Sequence, residues 1–369
     1  MHYDVAVVGA GPAGCMAARE LASRGFKVLL LDKEGLPREK ACMGLLSPEG
    51  RRLLEEGFGP LPAECLLEPA EALGVKVLSE GGGEYLLPFS GEGLWVRRAS
   101  LDAFLARSGG AEVWDGCRVT EVTAGRFYAR VRFLRGEEEG EAEATYLVGA
   151  DGAESLVSKT VRPELYRLHT LPALERTVLV LSEGEADWDP RWLGLAVLAR
   201  GERLGRFFVR AGTVGMAISW GQERHWQGEL EALREFLSRR IGLALRGESV
   251  RMVSVSNRMA RSGRFNLGAG SALLAGEAAG FLDPWGFGIR LALESGKLAG
   301  ECIAESAGEN VTPHLHYLRR AQPMLEMWAA GGRKRSAGRV GELDLSPWAG
   351  EKGRTARRDL RSLRRRLSR

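Results

Sequence analysis

The run from Tyr3 to Glu34, YDVAVVGAGPAGCMAARELASRGFKVLLLDKE, constrains this chain more than any other stretch, because it assembles every part of a dinucleotide-binding βαβ unit in order. An apolar strand (Val5, Ala6, Val7, Val8) runs into Gly9, Gly11 and Gly14. A helix carrying Ala17, Ala18 and Leu21 follows, and a second strand (Val28, Leu29, Leu30, Leu31) ends in Asp32. Gly9 permits the tight turn, Gly11 admits backbone N–H groups to a pyrophosphate, and Gly14 lets the helix pack closely on the strand. With Pro12 and Ala13 these glycines form the expected phosphate loop, where the free N–H groups and dipole of a helix start favour negative charge. Asp32, with Lys33 beside it, would accept hydrogen bonds from both ribose hydroxyls, which points to an adenosine without a 2′-phosphate.

The 369 residues suffice for one large or two ordinary domains, and a composition of 44% hydrophobic and 27% charged residues is that of a globular protein. No window approaches the roughly 18 consecutive apolar residues that a membrane span needs. The first strand starts at Tyr3 and leaves no room for a signal peptide, so a cytoplasmic location is expected. Five scattered cysteines (Cys15, Cys42, Cys65, Cys117, Cys302) lack CxxC spacing, and His314 and His316 are the only close histidine pair. Neither a disulfide framework nor a metal site is expected. The net charge of +4 hides an asymmetry: residues 352 to 369 hold nine Lys or Arg against one Asp, leaving the remaining body near −4. In that tail Ala356, Leu360, Leu363 and Leu367 fall at helical spacing. Such a basic amphipathic segment suits peripheral contact with the anionic inner face of a membrane, the plain alternative being a solvated terminus. It has no aromatic residue to stack on bases, so nucleic acid is not an expected partner.

Further along, SPEGRRLLEEGF from Ser47 reads as a capped helix, ALGVKVLSE, EYLLPFS and GLWVRR as strands, and residues 99 to 108 as a helix. Residues 111 to 150 alternate as strands around a polar turn. From about 175 to 258 the pattern is mainly β, interrupted by a helix near 227 to 241, and residues 287 to 335 look helical. The expected fold class is α/β: a discontinuous Rossmann-like cofactor domain (1–70, 98–160, 263–308), an inserted β-rich substrate domain (71–97, 161–262), and a helical C-terminus with a basic tail (309–369). Function should lie where the two domains meet.

Two later motifs turn a dinucleotide into FAD. YLVGADGAESLVSK (146 to 159) delivers Asp151-Gly152 from a buried strand into a turn, and ALLAGEAAGFLDPWGFGIRLALESGKLAGE (272 to 301) delivers Gly276-Glu277 and a glycine-rich helix start. Together with the first fingerprint these resemble the FAD-binding motifs of the p-hydroxybenzoate-hydroxylase-like fold. PREKACMGLLSPEG (37 to 50) is similar to the P-R-x-K-x-C-G-G-x-L-S-P motif of the geranylgeranyl reductase family, and the resemblance covers roughly residues 1 to 305. It implies that Glu277 meets a ribityl hydroxyl of FAD, that Asp151-Gly152 supports the turn beside the diphosphate, and that Arg98 in VRRASLDAFLA helps to hold FAD. Three departures lie beside the expected flavin ring. Gly-Asp becomes Gly276-Glu277, Cys-Gly-Gly becomes Cys42-Met43-Gly44, and P-x-x-G-E-G becomes Pro284-Trp285-Gly286-Phe287-Gly288. The family's PxxYxWxFP motif is missing, and RFFVRAGTVGMAISW, with Trp220, is at best a relic of it.

In a flavoprotein of this kind the cofactor carries the hydride and the protein supplies orientation and electrostatics. Gly286 and Gly288 would let free backbone N–H groups approach the ring and stabilise its negative charge. Cys42 is the best side chain at the predicted reacting face, as a substrate contact or a tuner of the flavin, the alternative being a packed thiol. One nucleotide fingerprint leaves the electron donor, NAD(P)H or a protein or quinol carrier, to bind transiently. The expected activity is reduction of carbon–carbon double bonds in an isoprenoid or similar apolar, lipid-like substrate. The alternatives are an FAD-dependent aromatic monooxygenase and an FAD-binding escort protein with little turnover.

Overall fold

The computed structural model describes residues 2–198, 203–220, 226–283, 287–309 and 311–332. Gly286 and the basic segment from 352 to 369 lie outside the described residues. The chain opens with β1 (His2–Val8), α1 (Pro12–Ala22) and β2 (Val28–Leu31), then β3 (Leu45–Leu46), α2 (Pro48–Phe58), β4 (Leu66–Ser79) and β5 (Glu84–Val96). Next come α3 (Arg98–Ser108), β6 (Glu112–Trp114), β7 (Cys117–Ala124), β8 (Ala129–Arg135) and β9 (Glu138–Gly149), followed by α4 (Leu156–Val161) and a single turn α5 (Pro163–Leu165). The remainder is β10 (Leu174–Glu185), β11 (Trp192–Leu198), β12 (Arg203–Arg210), β13 (Thr213–Trp220), α6 (Trp226–Ile241), β14 (Ala244–Asn257), β15 (Gly268–Ala269), β16 (Ala272–Leu274), α7 (Ile289–Glu309) and α8 (Pro313–Gly332).

Among the described residues these strands form two eight-stranded sheets. The first is built on parallel strands in the order β16, β9, β1, β2, β6, with β15 and the antiparallel β7 and β8 attached. These central strands are buried on both faces, which is why they read as unbroken apolar runs. The register aligns Val8 with Leu31 on one side and Gly149 on the other, and Gly149 with Leu274. Four neighbouring strands therefore end together, and the residues that follow them, Gly9, Asp32, Ala150 and Ala275, share one edge of the sheet. That carboxyl-end edge is where open parallel sheets bind ligands. Helix α8 packs on the same core: Tyr317 is fully buried and its hydroxyl donates to Leu274 O (3.0 Å) and Ser295 O (3.3 Å).

The second sheet runs β14, β10, β13, β12, β11, β4, β5, β3, antiparallel except for β4 beside β11. Side chains alternate between its faces. Val178, Phe207, Val209, Val214, Met216 and Ile218 pack under Leu233, Phe236 and Leu237 of α6. The opposite face carries Leu179, Leu195, Phe208, Ala217 and Trp95, which pack with Met43 from the loop after β2 and with Leu45 of β3. Ser47 begins α2 as its N-cap, its Oγ accepting from Gly50 N at 3.2 Å. The two short β5 segments expected from sequence are one strand, and the C-terminal helical pattern is two helices. Among the described residues no helix is long and apolar enough to cross a membrane.

Candidate functional site

The three glycines of the first turn sit in three different surroundings. Gly9 adopts φ +104°, and a Cβ there would lie 2.3 Å from Ala150 O, so the turn after β1 packs directly against the turn after β9. Gly14 faces Gly9 O, which a Cβ would approach to 1.9 Å. Gly11, the N-cap of α1, has open space before it: a Cβ would meet nothing within 4 Å. No side chain caps this helix start, and Pro12 occupies its first turn. A bare, uncapped helix start facing open space fits a diphosphate, the anionic centre of FAD.

The second and third segments close on the first. Asp151 is half-buried beside Gly9, and its carboxylate caps α4, accepting from Ser155 Oγ (2.5 Å), Leu156 N (2.7 Å) and Val157 N (3.2 Å). Burial raises its pKa and these donors oppose the rise. Gly152 follows at φ +83° with open space in front of it. Gly276, at φ +61°, lies against Ala13, where a Cβ would come within 3.0 Å of the alanine Cβ. Glu277 points toward Gly288: its Oε1 is 3.6 Å from where a Gly288 Cβ would stand. Burial pushes the Glu277 carboxyl up, against the pull of Lys40, Arg258 and Arg98. The sequence-marked residues Gly9, Gly11, Pro12, Ala13, Gly14, Asp151, Gly152, Gly276, Glu277 and Gly288 thus gather along one edge, while Lys33 is exposed beyond β2.

Asp32 begins a buried chain of charges that sequence reading missed. Its oxygens accept from Ala10 N (2.8 Å), Glu34 N (3.0 Å) and the Arg38 guanidinium (3.3 Å at each oxygen). Arg38 also donates to Asp102 at 3.0 Å, and Asp102, fully buried, holds Arg98 by two bonds of 3.0 and 2.9 Å. Cys42 lies near enough to Arg98 to act on its charge, and its Sγ accepts from Gly44 N at 3.4 Å. Burial disfavours the Arg98 cation, but Asp102 and Cys42 outweigh it and hold the guanidinium above its ordinary pKa. Asp32 and Arg98, marked separately in the sequence, are therefore joined through Arg38 and Asp102, with Cys42 beside them. Arg38 stands in the PREKACMG segment and Asp102 in RASLD, so both lay beside residues already singled out.

A second polar group stands on the apolar face of the second sheet, near Cys42. Arg206 on β12 donates to Ser219 Oγ (2.9 Å), Arg258 donates to the same oxygen (3.3 Å), and Thr177 Oγ1 lies 2.7 Å from it. Arg258 also reaches Glu175 (3.2 Å) and Asp283 O (3.4 Å), and Asp283 Oδ1 accepts from Phe287 N at 2.8 Å. Arg206 and Ser219 lie in the RFFVRAGTVGMAISW segment, and Asp283 and Phe287 in the third FAD segment, but nothing in the sequence pairs them; the tertiary fold brings them together.

Comparison with known proteins agrees with this arrangement. Residues 4–66 match the family model described as FAD dependent oxidoreductase. An uncharacterized protein of Methanosarcina barkeri is 30% identical over 173 residues, 44% of this chain and 42% of that protein. The chain spans less than half the length of the first curated relatives it matches. Among solved structures, a geranylgeranyl bacteriochlorophyll reductase-like protein from Thermoplasma acidophilum aligns with a TM-score of 0.76 at 21% identity, covering 90% of this chain and 87% of its own. The flavin-dependent brominase Bmp2 aligns at 0.68 and 19%, covering 99% and 100%. The fold is that of the FAD-dependent oxidoreductases.

Proposed function

From a chain with the fold of the FAD-dependent oxidoreductases, we propose an enzyme that reduces carbon–carbon double bonds in an apolar substrate of isoprenoid or lipid-like character. The observation that carries this reading is the apolar face of the second sheet, where Leu179, Leu195, Phe208 and Trp95 pack with Ala41, Met43, Leu45 and Phe287 on either side of Cys42. FAD, when bound, supplies a ring that accepts and delivers hydride. The chain's residues would do the rest. The backbone at Gly11 and the start of α1 would hold the diphosphate, Asp32 the adenosine ribose, and Glu277 a ribityl hydroxyl. Arg98, held by two bonds to Asp102 and close to Cys42, would help to hold FAD. Cys42 would touch the substrate or the ring, and the apolar wall would exclude water. The electron donor, NAD(P)H or a protein or quinol carrier, would bind transiently.

The likeness to a geranylgeranyl bacteriochlorophyll reductase-like protein supports reduction, and the likeness to a brominase keeps oxygen chemistry as the competing outcome. The test is to load the purified chain with FAD, reduce it anaerobically with dithionite, and add a geranylgeranyl-bearing lipid. Flavin reoxidation with a product gaining two hydrogens per reduced bond is expected. Turnover that requires oxygen and yields a hydroxylated product would assign the protein to the monooxygenases. A flavin that no donor reduces would leave the escort reading.

A further inference from the structure

We propose, resting on the reading of this edge as an FAD site, that Arg38 changes partners when the cofactor binds: it yields Asp32 to the adenosine ribose, keeps Asp102, and turns its released N–H groups to the diphosphate. The acceptor count at Asp32 carries this. A carboxylate has about four lone-pair sites, and those of Asp32 are all taken. Oδ1 accepts from Glu34 N and Arg38 Nε, and Oδ2 from Ala10 N and Arg38 Nη2. A ribose that offers both its hydroxyls must therefore displace donors already in place. Ala10 N (2.8 Å) and Glu34 N (3.0 Å) belong to the backbone after β1 and β2 and are fixed with it. The two Arg38 bonds are 3.3 Å each, longer than the ~2.9 Å of a tight charge-assisted bond, and they come from a side chain. Arg38 also forms the open side of the pair, 16% exposed against 6% for Asp32.

Where the guanidinium goes follows from its other contacts. Nη1 donates to Asp102 Oδ2 at 3.0 Å, and Asp102 is itself fully buried and held by Arg98. That bond uses neither Nε nor Nη2, so loss of Asp32 leaves Arg38 anchored at one corner with the other two N–H positions free to turn. A single oxygen separates Arg38 from the glycine turn, because Asp32 Oδ2 accepts from both Arg38 Nη2 and Ala10 N. Ala10 stands between Gly9 and Gly11, and the space before Gly11 is open. Burial disfavours the Arg38 cation, but Asp102 and Asp32 outweigh it and hold the guanidinium above its ordinary pKa. A charged fork released beside that space matches two phosphate oxygens at once. Before the exchange, the same fork spares Asp32 the cost of a buried, half-satisfied charge.

The test measures the binding of adenosine, ADP and FAD to the flavin-free full chain by calorimetry. Adenosine offers the ribose alone, and ADP adds the diphosphate. Arg38→Met should bind adenosine about threefold more tightly, because no donor has to be displaced, yet bind ADP and FAD about tenfold more weakly, because the charged phosphate contact is gone. Dideoxyadenosine, which has no ribose hydroxyl for Asp32, should bind both chains alike. Arg38→Gln keeps N–H donors without the charge and should move adenosine and ADP in the same opposite directions by smaller factors. It serves as the test if circular dichroism shows that Arg38→Met does not fold. Adenosine and ADP weakening together would make Arg38 a mere prop of the site and overturn the exchange, with FAD binding left standing. ADP and FAD affinities unmoved by either substitution, or a gain shared by dideoxyadenosine, overturn it equally. An unsubstituted chain that binds neither ADP nor FAD removes the FAD reading, and this proposal with it.

Discussion

Gly14→Ala should weaken the fold, whereas Gly11→Val should spare the fold and abolish cofactor retention. A Cβ at Gly14 would stand 1.9 Å from Gly9 O, roughly 1.4 Å inside an ordinary C···O contact of ~3.3 Å. Its next neighbour, 3.1 Å away, is the Gly9 carbonyl carbon. Both are backbone atoms, so the start of α1 has to lift away from the end of β1. Overpacking of this kind costs ~1–3 kcal/mol, and alanine's better helix propensity returns about 1 kcal/mol. The net loss is ~2 kcal/mol at the upper end, a drop of about 3 °C in Tm for a chain this long. Gly11 differs because its φ of −81° suits any residue and a Cβ meets nothing within 4 Å. A valine there should leave the Tm of the flavin-free chain within about 1 °C while filling the space before the helix N–H groups. Melting of both flavin-free variants by circular dichroism, followed by FAD titration monitored through fluorescence quenching, separates the two effects. The reasoning fails if flavin-free Gly11→Val melts as low as Gly14→Ala, or if it binds FAD within threefold of the unsubstituted chain.

Asp102→Asn should destabilise the chain by about 3 kcal/mol, because it leaves the half-buried Arg98 without its carboxylate partner while Arg38 keeps only Asp32; an unchanged urea midpoint would show that the network carries no weight. Glu277 is held above its ordinary pKa, so the folded chain keeps this proton more tightly than the unfolded one does, and stability is lost as pH rises from the unfolded value of ~4.3 through the raised one. Flavin-free Glu277→Gln should therefore gain on the unsubstituted chain between pH 4 and pH 8, and a difference in Tm that is the same at both would contradict this. Cys42→Ser should keep a full complement of flavin and lose turnover, whereas full turnover would reduce Cys42 to a packed thiol.

How far the site could be read in advance depended on how local each signal was. The glycine turn after β1 was legible because a strand, three spaced glycines and a helix lie within a few residues of one another, and so was the Ser47 cap of α2. Asp32 was visible as the acid after a second apolar strand, but its engagement by Arg38 was not. The Asp151-Gly152 turn was visible, yet it took the register of β9 beside β1 to show that it abuts Gly9. Asp102 stands 64 residues from Arg38, and Arg258 stands 39 from Ser219. Nothing local links such pairs, and each of these residues alone reads as an ordinary polar or charged side chain.

The chain's residue pattern was enough to determine a nucleotide-binding α/β unit, a β-rich insertion and the backbone points that a cofactor would approach. These follow from apolar periodicity, from glycine's freedom at φ values closed to other residues, and from helix capping, all of which act over a few residues. The buried charge chain from Asp32 to Cys42, and the two arginines that meet at Ser219, were decided only when the strands took their order in the two sheets. A charge removed from water must find its partner in space, and that partner is set by which strand becomes its neighbour rather than by distance along the chain.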